Sequence, residues 1–194
     1  MGYNTDFRGA VAVVPPLNRH EIAYLRRFAG TRRMDRDLGP YYCGTGFRGQ
    51  DEEPDIRDYN KPGFEQPGLW CKWEPTDDGG RIQWNQIEKF YDGELWMAYL
   101  VRNFLMPDAL LAEELKSRVE GRYYAPEFAH FTFDHLVNGV IDAEGEEEDD
   151  VWQLIVTDNV VTTRADGEES APITDTAWGV YLRAEAELTA SDEL

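Results

Sequence analysis

The stretch Phe7–Gly30, FRGAVAVVPPLNRHEIAYLRRFAG, constrains the fold of this chain more than any other. Its apolar run at 10–14 reads as a β-strand that Pro15 and Pro16 stop, because proline brings no ladder N–H. Asn18 stands three residues before Glu21, the spacing of a helix N-cap and its capping-box partner. Leu17 and Ile22 flank that cap as a hydrophobic staple. Ile22, Leu25, Phe28 and Ala29 keep helical spacing, and Gly30 closes the pattern. A strand that runs straight into a capped helix calls for a sheet with a helix packed on it.

Further along, GLWCKWEPTDDGGRIQW reads as a hairpin, with Leu69, Cys71 and Trp73 on one face and Ile82 and Trp84 sharing a face of the return strand. Trp70 falls on the opposite face, beside Lys72 and Glu74. Asp92 is placed to cap a helix whose apolar stripe is Leu95, Trp96, Tyr99, Leu100 and Phe104. Pro107 interrupts it, and a second helix capped by Asp108 runs towards Gly121. From Phe131 the pattern is strand again: FTFDHLVNGVIDA, the acidic turn EGEEEDD, then VWQLIVTDNVVTT with a tight turn at Asp158-Asn159. Residues 165–173 read as loop, and 178–188 fit either a last strand or a frayed helix.

Hairpins dominate this order, so the expected fold is α+β: a largely antiparallel sheet of about five to six strands with two or three helices packed on one face. Part of the order is that of a β-α-β-β-α-β unit. Residues 1–165 form one domain, with an ordered aromatic loop at 31–68, and 166–194 an acidic C-terminal extension able to add a strand. No apolar run approaches the ~20 residues of a membrane span. The start lacks the basic-then-apolar layout of a secretory signal, and the chain reads as cytoplasmic.

Within YYCGTGFRGQ, Gly44, Gly46 and Gly49 have the G-x-G-x-x-G spacing of a dinucleotide loop. Such a loop needs a helix directly behind it to aim free amides at a pyrophosphate. Here QDEEPDIRDYNKPG follows, acidic and broken by proline, so glycines serving turns are the better reading. Histidine chemistry is thin. His130 and His135, five apart on a strand, would lie on opposite faces and could not share a metal, and Asp134 and His135 would diverge. A pairing of His135 with Cys43 or Cys71 stays open. Two cysteines make no disulfide framework, and buried thiols are expected. Arg19, Arg26, Arg27, Arg32, Arg33 and Arg36 cluster around the first helix. They can serve the helix dipole, an anion, or the acidic C-terminal region.

The formal charge of −19 is uneven: residues 1–50 carry +4, 51–140 carry −9 and 141–194 carry −14. That excess opposes direct binding to nucleic acid or to anionic membrane, and favours a protein partner with a basic surface. The acidic run Glu144, Glu146, Glu147, Glu148, Asp149 and Asp150 reads as a solvated hairpin tip, a DNA-like negative surface or a calcium site; the last lacks the ordered ligand spacing. Trp70, Tyr41, Tyr42 and Tyr59 are the aromatic candidates for a recognition surface, unless the 31–68 loop itself covers Trp70.

Three stretches together, YNTDFRGAVAVVPPL…YLRRFAGTRRMDRD, YNKPGFEQPGLWCKWEPTDDGGRIQWNQIEKFYDGELWMAYLVRNFL and VNGVIDAEGEEEDDVWQLIVTDNVV, resemble a family of small uncharacterised proteins of bacteria, especially actinobacteria, and their phages. The resemblance covers most of 3–161. The segment 107–130 departs from that family's shorter connection, and residues after 165 are additional. It implies no activity and no site residue, but a phage link would suit an acidic protein that engages a host protein.

The leading expectation is therefore a non-enzymatic, acidic protein-interaction module, with no catalytic, metal or cofactor-binding residue assigned. The alternative is a small-ligand module or enzyme with its site between the 31–68 loop and the sheet, drawing on Tyr59, Trp70, His135 and Glu88.

Overall fold

The first strand, β1 (Thr5–Val14), begins five residues earlier than its apolar run and places Phe7, Val11 and Val13 inward. The alternate residues Arg8, Ala12 and Val14 stay exposed, as expected for a strand with one covered face. Helix α1 (Arg19–Ala29) follows with its capping box complete: the Asn18 side chain accepts from the His20 and Glu21 amides, and Glu21 Oε2 accepts from the Asn18 amide at 2.7 Å. A cap of this kind is worth about 1 kcal/mol. Leu17 is buried and Ile22 packs against the core, as the staple requires.

The computed structural model describes residues 3–63 and 66–173, so the expectation for 178–188, and most of the 166–194 extension, lies outside the described residues. The remaining elements are β2 (Met34–Arg36), β3 (Ile56–Pro62), β4 (Trp73–Pro75), β5 (Arg81–Trp84), α2 (Gly93–Leu100), α3 (Leu110–Lys116), β6 (Leu136–Gly145), β7 (Val151–Thr157), β8 (Val160–Ala165) and β9 (Glu168–Glu169). They make an α+β protein. Seven strands in the order β4-β5-β1-β6-β7-β8-β9 form one sheet with every neighbouring pair antiparallel, and β2 and β3 form a separate ladder. The β-α-β-β-α-β order is present as β1-α1-β4-β5-α2-β6, with these four strands adjacent as β4-β5-β1-β6 and β7 to β9 added beyond β6. Sheet residues Val11, Ile82, Ile141 and Leu154 share one core with Tyr24, Phe28, Trp96, Tyr99 and Phe104 from the helices.

Several boundaries differ from expectation, each for a local reason. Asp92 precedes α2 with φ 54° and its side chain makes no cap bond, so it marks the helix start by backbone turn rather than by capping. Behind α2 the helix widens into a π turn at Val101–Leu105. Asp108 does not cap the next helix either; it takes φ 62°, and α3 starts after Ala109 and ends at Lys116, short of Gly121. Residues 131–135 are not strand: a 3₁₀ turn at Pro126–His130 hands over to an irregular link, and β6 begins at Leu136. The Asp158-Asn159 turn stands as expected, with φ 48° and 68° between paired Thr157 and Val160. Residues 168 and 169, read as loop, pair with β8.

Candidate functional site

The acidic run is the connection between β6 and β7, whose last rung pairs Glu144 with Val151. Glu146, Glu147, Glu148 and Asp149 are exposed, and none of them forms an ion pair with a described residue. Glu144 pairs with Arg8 at 3.2 Å, and the Tyr3 hydroxyl donates to Asp150 at 2.5 Å, tying the base of the turn to β1. That bond heads the causes raising the Tyr3 pKa. Among the described residues no group of three or more His, Cys, Asp or Glu side chains is placed to hold a metal ion. Nor is any helix there long and apolar enough to cross a membrane.

The 31–68 segment is ordered by its arginines. Arg33 is buried, with its guanidinium 4.1 Å over the Phe28 ring and its N–H groups on the Pro40 and Tyr42 carbonyls at 2.8 and 2.7 Å. Arg36, equally buried, donates to Glu53, to Asp55 and to the Gly49 carbonyl. Arg26 pairs with Asp77 and Arg27 with Glu127. Among the described residues the cluster therefore serves intramolecular packing, with partners at His20, Thr31, 40–77 and Glu127.

The aromatic candidates separate. Tyr41 is buried, its hydroxyl on Asn103 at 3.1 Å, so it is no part of a recognition surface. Tyr42 is half-buried against Tyr123 and donates to Glu53. Tyr59 is exposed and donates to Gln50, with the Arg32 guanidinium 5.2 Å over its ring. That same guanidinium lies 5.9 Å from the Trp70 ring, and Arg48 approaches Trp70 to 5.7 Å. Gly44, Gly46 and Gly49 all have positive φ, and the only helical geometry at the motif is one 3₁₀ turn at Phe47–Gly49, so no helix N-terminus stands behind it.

The histidines correct two expectations. With no strand at 131–135, Asp134 Oδ1 comes to 4.0 Å from His135 Nδ1 instead of diverging. His130 does not oppose His135 across a strand but stacks on His20 at 3.9 Å. His135 is buried with Glu21, Thr132 and the Pro15 carbonyl, and neither cysteine is among its partners. Cys43 and Cys71 are both buried and free, and burial pushes the Cys71 thiol up to about 12.

A cleft of about 510 Å³ opens between the end of the 31–68 segment and the link from β5 to α2, not between that segment and the sheet: no strand residue is among its described lining. Trp70 and Glu88 line it; Tyr59 and His135 do not. Its walls are mostly apolar: Leu69, Trp70, Ile87, Tyr91 and Trp96. Alternate spacing carries Trp70 and Lys72 into the same wall, and Lys72 is the one buried ionic group among the described lining residues. Its ammonium donates to the Glu88 carbonyl and, at 3.0 Å, to that of Lys89. Desolvation first, then the charges of Arg48 and Lys89, lower the Lys72 pKa, and the Glu88 carboxylate opposes them. Glu88 and Asp92 also line the cleft, but both are exposed.

Sequence reasoning placed Trp96 in a core stripe and passed over Arg48, Lys72 and Lys89. The spacing of Trp70 and Lys72 was the available signal; the approach of Arg48 was not visible, because a turn of irregular backbone delivers it. Comparison with protein-family models, with curated proteins and with solved structures finds no match to this chain, so function has to be read from the chemistry of the cleft.

Proposed function

We propose that this protein is a binding module for a small organic ligand seated in the cleft between Trp70 and Trp96. One observation carries the reading: an apolar, aromatic-walled cavity of about 510 Å³ contains, among its described lining residues, a single buried cation, Lys72. Ligand sites typically span about 300–1,000 Å³ and set a few polar groups in an apolar wall. Binding rather than turnover is proposed because Lys72, the buried amine of the described lining, is held on two backbone carbonyls and not on a base.

Gly68 supplies the test. A Cβ built there meets nothing closer than Trp96 Nε1 at 3.7 Å, so Gly68→Leu fills the cleft without a backbone clash. A fragment screen followed by NMR of the tryptophan indoles should give saturable shifts of cleft resonances that Gly68→Leu removes. Ligands that bind Gly68→Leu as well as the parent protein would refute the site.

A second reading keeps the acidic hairpin as a surface for a basic protein partner. The exposed carboxylates of Glu146, Glu147, Glu148 and Asp149 at one turn, unpaired among the described residues, favour it. A partner captured from nuclease-treated lysate should be lost when residues 146–150 are neutralised, and released by salt. Capture that survives both changes would sink this reading.

A further inference from the structure

Two tryptophans buried to the same degree treat their indole N–H groups differently. Trp73 donates to the Gly93 carbonyl at 2.7 Å. Trp96, fully buried, has no acceptor for Nε1–H among the described residues, and it lines the cleft. An indole N–H can only donate, and buried donors are almost always paired, so this one lacks an acceptor that no described residue provides. Gly68 stands beside it in the cleft wall, and a Cβ built there would lie 3.7 Å from Nε1.

The cations of the same cleft also hold unused donors. The Lys72 ammonium spends two of its three N–H bonds on the carbonyls of Glu88 and Lys89. The exposed Arg48 side chain rests on the Phe47 ring at 5.0 Å and on Trp70, with no hydrogen bond or ion pair from its guanidinium to a described residue. Among the described lining residues three cations, Arg48, Lys72 and Lys89, face two carboxylates, Glu88 and Asp92, and burial raises the Asp92 pKa, which weakens its counter-charge. A ligand that completes this arrangement brings acceptor atoms with negative charge on a flat apolar body.

We infer that the cleft takes a small aromatic carboxylate, its ring among Trp70, Tyr91 and Trp96 and its oxygens accepting from Trp96 Nε1–H and the Lys72 ammonium. This deepens the binding-module reading and rests on it. The probes are naphthoate and its neutral isostere naphthamide, titrated calorimetrically and followed at the Trp96 indole N–H, whose resonance Trp96→Phe identifies.

Naphthoate should bind about tenfold tighter than naphthamide, the order expected of hydrogen bonds to a charged group. It should also move the Trp96 indole resonance. Lys72→Met should bring the two probes close to equal affinity, and Arg48→Gln, a change at an exposed side chain that leaves the fold intact, should narrow the difference. Equal binding of both probes to the parent protein would overturn the carboxylate and leave the cleft standing. A preference that persists in both variants, or that leaves the Trp96 resonance unmoved, would overturn the assigned contacts. No binding of either probe would overturn the cleft reading with it.

Discussion

His135 and Glu21, 114 residues apart in the chain, meet inside the protein with Nε2 3.2 Å from Oε1. His135 Nδ1 donates to the Pro15 carbonyl at 2.7 Å, so that nitrogen carries a proton and Nε2 is left to face the carboxylate. Glu21 Oε1 accepts from the Thr132 amide as well, and Oε2 closes the capping box of α1. One carboxylate thus joins the helix start, the turn after β1 and the link into β6.

The pair should give stability a defined pH window. Desolvation pulls the His135 pKa down, but the Glu21 carboxylate and the Pro15 carbonyl outweigh it and leave it above the ordinary 6.5. Burial likewise pushes Glu21 up, but bonds from His135, Thr132 and Asn18 hold it below the ordinary 4.5. The His135 contribution is complete below 6.5 and fades as pH rises through its folded value. The Glu21 contribution is complete above 4.5 and fades as pH falls through its folded value. Between those limits, Glu21→Gln should cost about 3 kcal/mol in urea unfolding, since it strands a buried partner. The cost should shrink in alkali; a cost that is flat or grows with pH would show that His135 is neutral throughout.

Gly49 and Gly121 form a matched test of what the G-x-G-x-x-G glycines do. Both have positive φ, 66° and 82°. A Cβ on Gly49 would lie 2.1 Å from the Cys43 carbonyl oxygen, while one on Gly121 would meet nothing within 4 Å. Gly121→Ala should cost about 1 kcal/mol, the conformational penalty alone. Gly49→Ala adds a backbone collision and should cost about 3 kcal/mol or more. Equal thermal shifts in the two variants would rule out this packing account.

Arg36→Lys should loosen one region only. The Arg36 guanidinium reaches Glu53, Asp55 and the Gly49 carbonyl at once, and it lies 5.2 Å over the Tyr42 ring. A lysine ammonium has no planar fork to replace those contacts. The variant should lose about 2 kcal/mol, and its amide exchange should quicken in 37–56 while β6 and β7 keep their protection. Uniform acceleration across both regions would mean that the segment unfolds only with the whole domain.

The parts of this fold that were legible in the sequence are those whose signals are local. The Asn18–Glu21 box, the Asp158-Asn159 turn and the β6–β7 hairpin each lie within a few residues, and each forms as read. What escaped depends on partners far along the chain. The β2–β3 ladder has irregular register and is pinned by Arg36 to residues 53 and 55, which no periodicity announces. Asp92 and Asp108 look like caps, but their backbones turn left-handed and the side chains are not used as caps. Half the cleft was within reach: Trp70 and Lys72 share a face by spacing, whereas Trp96 is indistinguishable from its core neighbours until Gly68 is found beside it.

That difference can be measured without any ligand by comparing Trp73→Phe with Trp96→Phe. Both rings are essentially inaccessible, and both changes remove the same atoms from a packed interior, so the cavity cost is shared. Trp73→Phe in addition leaves the Gly93 carbonyl without its donor at the start of α2. Trp96→Phe strands nothing and removes a buried donor that had no acceptor among the described residues. A buried polar group left unpaired costs about 1–3 kcal/mol. Trp73→Phe should therefore be the more destabilising by about that amount in urea unfolding of the two variants. Equal losses would mean that Trp96 Nε1–H is already satisfied in solution, and its claim on a ligand acceptor would fall.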